Sequence, residues 1–303
     1  MSADAADRVP VPSHEEELTR QWLAQRHRQV RPARPASAVV LVRDGEDGVE
    51  VLLRHRAGRT PLGRIGFPGG SLVEADAHAC PWFGPSPGEW AHTLGLADRR
   101  RVRQHVVAAV RELFEECGVL LAGASDMEVV QDARGETWGA RRSSLEHGDT
   151  GLPQLLEERG LGLRTDLLRA LGRWQSAPHS PRRFDTVVFT AALPPQQEPV
   201  PRPEGPDLQG WVPAARAVAE PMPLPGPEGW LGEVGRIALA EVSTPLTQLV
   251  LRDVARHRTA AGFLLSLGHG RDPVPHVRLR TEAERDDVAT GALHTVAEPV
   301  RPE

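Results

Sequence analysis

The stretch AVRELFEECGV, Ala109 to Val119, decides how the chain is read. Val106, Val110, Leu113 and Cys117 recur at i, i+4, i+7 and i+11, with Val107 and Phe114 beside them, which predicts a helix from about Asp98 to Cys117. Gly118 is a natural residue to end it. On a helical wheel the apolar residues share one face, and Glu112, Glu115 and Glu116 cluster opposite them. Cys117, on the apolar face, reads as a buried small hydrophobe. The last carbonyls of a helix already carry partial negative charge, so each exposed carboxylate there costs ~0.3–1 kcal/mol. The bland reading is a solvated acidic face. The sharper one is that a cation compensates. Converging carboxylates stay ionised only near opposite charge, and hard oxygen donors suit Mg²⁺ or Mn²⁺.

Upstream lies FPGG, ending at Gly70, and the helix carries Arg-Glu-x-x-Glu-Glu-x-Gly-apolar over Arg111–Val119. This arrangement resembles the Nudix box, G-x5-E-x7-R-E-U-x-E-E-x-G-U with U apolar. Gly70, Arg111, Glu112, Leu113, Glu115, Glu116, Gly118 and Val119 match it. The first acidic position falls on Asp76 instead of Glu, and the arginine stands at 111 where the pattern places it at 84. An insertion here, with Asp at the first acidic position, resembles the CoA-diphosphatase-like branch, as do VEVLLRHRAG, GRIGFPGG, and RFDTVVFTA after GRW. The resemblance runs from about Ala36 to Val218.

It implies an α/β/α Nudix sandwich with a mixed sheet, hydrolysing a pyrophosphate bond in a nucleoside diphosphate linked to another group. Mg²⁺ or Mn²⁺ would be held by Glu112, Glu115 and Glu116, with Arg111 orienting a glutamate, Gly70 opening the loop, and Gly69 and Gly70 contacting the substrate. Water, activated by metal and a glutamate, would attack phosphorus in line. CoA or acyl-CoA is the substrate the branch implies. ADP-ribose, NADH and dinucleotide polyphosphates stay open as alternatives, and so does a non-catalytic nucleotide-binding module. Which glutamate acts as base is also open.

Around the motif, SAVVLVR (37–43) and VEVLLRH (49–55) flank DGEDG as a hairpin, and GRIGFPGG (63–70) is a glycine-rich turn. Residues 1–35 read as a polar leader with a helix over Glu15–Arg28, 36–220 as the hydrolase domain, and 77–104 as an irregular insertion. LPQLLEERG and RTDLLRAL read as short helices; LGRWQSA and RFDTVVFTAAL (183–193) read as strands. Residues 194–227 are proline-rich loop interrupted by a strand and helix in LQGWVPAARAVAE. A helical extension (221–267) carries helices near Glu233–Leu239 and Leu246–His257, and a polar tail (268–303) offers HVRLRTE as a strand.

The chain has 303 residues, 40% apolar and 25% charged, with net charge −5. That composition is globular and advertises no nucleic-acid partner. No run reaches the ~20 apolar residues of a membrane span, and no signal peptide is visible. Two cysteines fit a reducing cytosol, so the chain reads as cytoplasmic. Whether it forms a homodimer is open. There is no lysine, so phosphate contacts fall to Arg, His or backbone N–H. Arg54, Arg56 and the Arg182–Arg183 pair are either phosphate ligands or solvated strand charges. Phe67 and Trp174 either stack on a base or fill the core.

Overall fold

The computed structural model describes residues 8–56, 64–202, 208–219, 221–223, 236–268, 273–283 and 293–300. The Val-rich run forms β2 (Arg34–Gly45), and with β3 (Gly48–Arg56) it makes the expected hairpin, Gly45 opposite Gly48. Before them stand β1 (Arg8–Pro10) and α1 (Ser13–Ala24). After them come β4 (Arg64–Gly66), β5 (Gly69–Ser71), β6 (Trp82–Phe83), α2 (Pro87–Leu94), α3 (Arg99–Cys117) and β7 (Ala122–Gly123). Next are α4 (Glu136–His147), α5 (Leu152–Glu158), β8 (Gly162–Arg164), β9 (Arg169–Gln175), β10 (Phe184–Ala192), β11 (Leu208–Pro213) and α6 (Ala214–Ala219). The described chain closes with β12 (Met222–Pro223), β13 (Arg236–Ile237), α7 (Leu239–Val242), α8 (Pro245–Val254), α9 (Ala260–Ser266), β14 (His276–Ala283) and β15 (Leu293–Pro299).

The main sheet is mixed, in the order β1-β15-β14-β9-β10-β2-β3-β11, with β4 added to β3 and β5 to β2. The β10–β2 and β14–β9 pairs are parallel; the others are antiparallel. β2 explains the layering. Val39 and Leu41 face a core shared with α2, α3 and α5, while Ala38, Val40 and Val42 face a core shared with α6 to α9. A strand buried on both faces reads as a continuous apolar run, not an alternation. The result is the α/β/α sandwich expected from the sequence.

Several elements differ from the sequence reading. RTDLLRAL is not a helix: Thr165–Leu167 form one 3-10 turn, and β9 starts at Arg169. Its leucine spacing suits a helix, but pairing of β9 with β10 and β14 outweighs local preference. The region 77–104 is not irregular throughout. It holds β6, the first turns of α3, and α2, capped reciprocally by Ser86 and Glu89 with proline in its first turn. Residues 8–24 supply β1 and α1. Of the helix placed at Glu233–Leu239, residues 233–235 lie outside the described ones, Arg236–Ile237 are strand, and α7 begins at Leu239.

Candidate functional site

α3 is charged against its own dipole at both ends. Arg99, Arg100, Arg101 and Arg103 crowd its N-terminal turns, and the three glutamates crowd its C-terminal ones. Two caps offset this. The Asp98 carboxylate accepts from Arg100 N (2.9 Å) and Arg101 N (3.3 Å). Gly118 takes the left-handed conformation at φ 70° and donates to Phe114 O at 2.8 Å.

The solvated-face reading fails. Glu112, Glu115 and Glu116 are 7, 5 and 4% exposed, and Arg111 is 5% exposed. The compensating charge comes from arginines of the chain. Arg111 forks onto Asp76, Nε to Oδ1 at 2.8 Å and Nη2 to Oδ2 at 3.0 Å. Its Nη1 donates to Glu112 Oε1 at 2.9 Å and to both Glu115 oxygens at 3.2 Å, and Nη2 also donates to Ser71 O at 3.0 Å. Asp76 is fully buried, so the aspartate at the first acidic position is the guanidinium's bidentate partner.

Glu116 is held from the sheet side. Its Oε2 accepts from Arg56 Nη2 at 2.7 Å and from Gly69 N at 2.9 Å, and its Oε1 pairs with Arg54 Nη1. Arg202 approaches the same Oε1 at 3.7 Å while bonding Glu146 at 2.8 Å. Arg142, from α4, donates through Nε to Glu115 O at 2.8 Å, a cation on a helix-terminal carbonyl. Neither Arg142 nor Arg202 was identified from sequence. They lie 27 and 86 positions from the groups they touch, Glu115 and Glu116, in segments without a motif.

The three glutamates differ in electrostatics. Burial pushes the Glu112 carboxyl up to about 7, against Arg111, with Glu116 and Glu115 adding to the rise. Burial also raises Glu115. Glu116 is equally desolvated, yet Arg56, Arg54 and the Gly69 N–H bring it below the ordinary range. Burial would lower Arg111, but Asp76, Glu112 and Glu115 hold it above its ordinary value.

Gly69 and Gly70 sit against this cluster. A Cβ on Gly70 would lie 2.3 Å from Glu112 Oε1, so any larger residue there would displace the Glu112 carboxylate from its place beside Arg111. Arg54 is 1% exposed, which excludes a solvated strand charge. Arg183 is not brought to the cluster: its guanidinium donates to Ser176 O and Arg31 O. Phe67 and Trp174 are each 5% exposed and belong to the core. Cys117 is buried.

Among the described residues, no three acidic, histidine or cysteine side chains are arranged as a ready metal cage. No helix among them is long and apolar enough to cross a membrane. The donor chemistry suits a hard divalent ion all the same: three carboxylates on successive turns, of which Glu112 uses Oε1 alone toward Arg111.

No family model matches the chain. No curated protein matches it either. Solved structures do. A NUDIX hydrolase from Alicyclobacillus acidocaldarius superposes with TM-score 0.56 at 24% identity, covering 78% of this chain and 96% of that one. The NUDIX domain of Shewanella oneidensis NrtR, solved with ADP ribose, gives TM-score 0.33 at 15% identity over 64% of this chain and 82% of that one. The layered mixed sheet and the first of these superpositions together establish that the chain has the Nudix fold.

Proposed function

We propose that the chain is a divalent-metal-dependent hydrolase of a pyrophosphate bond in a nucleoside-diphosphate-linked compound, with CoA or acyl-CoA as substrate. The observation that carries the reaction class is the burial of Glu112, Glu115 and Glu116 against the Gly69–Gly70 turn, at a helix end that disfavours them. A fold keeps buried carboxylates there at a cost in stability, and a phosphate-bound cation is the ligand that uses them.

In this reading Glu112, Glu115 and Glu116 hold Mg²⁺ or Mn²⁺, which supplies positive charge to the phosphoryl oxygens. Arg111 fixes Glu112 and Glu115 relative to each other, and Asp76 fixes Arg111. Arg56 stands beside the turn as the cation an incoming diphosphate reaches, and Arg54, buried against Glu116, adds positive charge from behind it. Arg183, held by two backbone carbonyls away from the cluster, is left for a more distant part of the substrate. The CoA assignment rests on the sequence resemblance of GRIGFPGG, VEVLLRHRAG and the insertion before α3.

The test is a panel of CoA, acetyl-CoA, ADP-ribose, NADH and diadenosine polyphosphates with Mg²⁺ or Mn²⁺, products resolved by chromatography. Release of 3′,5′-ADP and a phosphopantetheine from CoA is expected. Cleavage of another member alone keeps the chemistry and discards CoA. Nucleotide binding without cleavage of any member would place the chain among non-catalytic binding modules.

A further inference from the structure

Glu116 has both carboxylate oxygens committed to the chain itself: Oε1 to Arg54, Oε2 to Arg56 and to Gly69 N–H. A divalent ion that uses Glu116 therefore competes with the two guanidinium groups bonded to it, Arg54 and Arg56, and meets a third, Arg202, 3.7 Å from Oε1. Arg202 is turned to Glu146, and the two bonded groups are not alike. Arg54 has a side chain only 2% exposed, fixed behind the carboxylate. The Arg56 side chain is 34% exposed and lies along the turn, its Nη2 also donating to Phe67 O and Gly69 O at 3.2 Å each. Arg56 is the partner that a solute can reach. In a chain without lysine, a phosphate entering beside Gly69–Gly70 finds a guanidinium there, and the fork geometry of guanidinium matches phosphate oxygens.

We infer that Arg56 acts as an exchangeable latch on Glu116. It holds the carboxylate while phosphate is absent and moves to the phosphate when one enters, which frees Glu116 Oε2 for the cation. The inference rests on the proposed metal-dependent reading and adds an order of events to it. Metal binds weakly to the free protein and tightly to the nucleotide-bound one. By linkage, metal tightens nucleotide binding by the same factor. Arg56 is then a positioning residue for the metal ligand as well as a phosphate contact. Arg54, which stays behind, keeps Glu116 from becoming a lone buried charge during the exchange.

The experiment is Mn²⁺ titration of the full chain followed by the electron paramagnetic resonance of free Mn²⁺. It compares wild type, Arg56→Gln, Arg56→Lys, Glu116→Gln and the Arg56→Gln/Glu116→Gln double variant, each with and without AMP, whose single phosphate chelates Mn²⁺ weakly. Melting curves first check that every variant is folded. Arg56→Gln removes the competing charge at close range and is expected to bind Mn²⁺ about tenfold more tightly than wild type without AMP. Arg56→Lys keeps the charge and stays near wild type. AMP tightens Mn²⁺ binding in wild type and leaves Arg56→Gln unchanged. In Glu116→Gln the added Arg56→Gln change gives no gain. Equal or weaker Mn²⁺ binding by Arg56→Gln, with wild type binding the ion, overturns the latch and leaves the metal reading intact. Absence of Mn²⁺ binding in every variant, with and without AMP, overturns that reading and the latch with it.

Discussion

Replacing Arg111 by Gln tests the charge accounting of the site most directly. Arg111 is 5% exposed and is bonded to three carboxylates and one carbonyl, with its shortest contact, 2.8 Å, and its only fork on the fully buried Asp76. Charge-assisted contacts to four groups at ~1.5–3 kcal/mol each would sum to ~6–12 kcal/mol, comparable to the whole stability of a small domain. Much of that gain is offset by taking the guanidinium out of water, so the useful number is the cost of breaking a buried pair, ~3–5 kcal/mol. Urea unfolding of Arg111→Gln at pH 8 is expected to show a loss of that size, through a lower midpoint at unchanged slope. The deficit has a signed pH dependence. Without Arg111, the carboxyls of Glu112 and Glu115, already raised by burial, rise further in the folded state. Groups raised on folding bind protons that the unfolded chain releases, so the variant regains stability as pH falls from 8 toward 5. Asp76→Asn in the Arg111→Gln background should cost less than in wild type, because the aspartate has then lost its partner. A loss below about 1 kcal/mol at pH 8, or one that does not shrink at pH 5, would refute the reasoning.

Gly70→Ala puts a methyl 2.3 Å from Glu112 Oε1. It should lower stability by ~1–3 kcal/mol and cut any metal-dependent turnover at least tenfold, measured by thermal melts and initial rates. Arg142→Met removes the cation from Glu115 O. A loss of ~1–3 kcal/mol in urea unfolding is expected, with an unchanged midpoint showing that the carbonyl needs no partner. His105, whose Nδ1 lies 3.0 Å from Ser37 Oγ, is lowered by burial from 6.5 to about 4. The unfolded chain binds that proton first, so His105 removes stability as pH falls from 6.5 to 4, by about 3 kcal/mol at most. Relative to wild type, His105→Gln should gain stability across that window, and parallel pH profiles of the two would contradict the assignment.

The helix that carries the glutamates was legible because its signals are local. Asp98, the apolar recurrence over Val106–Cys117 and Gly118 all lie within one segment, and α3 spans Arg99–Cys117 as they indicate. The hairpin of β2 and β3 was legible for the same reason. What balances the glutamates was not. Arg54 and Arg56 come from β3, Arg142 from α4 and Arg202 from the proline-rich segment. The sheet order, with β5 laid against β2 and β4 against β3, brings Arg54 and Arg56 to the glutamates, and the packing of α4 on α3, with Arg142 bonded to Pro201 O, brings Arg142 and the segment before Arg202. Sequence alone weighed Arg54 as phosphate ligand or solvated charge, and its burial against Glu116 is a third outcome that needs tertiary structure. Arg183 illustrates the converse. Its place beside a strand suggested the site, but the strand end it occupies is held by Ser176 and Arg31 carbonyls.

The break in local rules is itself the most informative feature. A helix chosen for its own stability would carry acids first and bases last. α3 does the reverse, with arginines in its first turns and three glutamates in its last. It holds because it is buried between the sheet and neighbouring helices and because distant arginines meet the misplaced charge. Solvation cannot supply that balance at 4–7% exposure, and the arginines that do supply it are mostly fixed by other contacts. Local and global preferences agree through most of a natural sequence, and conflict concentrates where function is built. In α3 the conflict centres on Glu112, Glu115 and Glu116, and Arg56 is the compensating partner most open to exchange. On the proposed metal-dependent reading, the same contacts that balance the free protein set what must move when a phosphate and a cation bind.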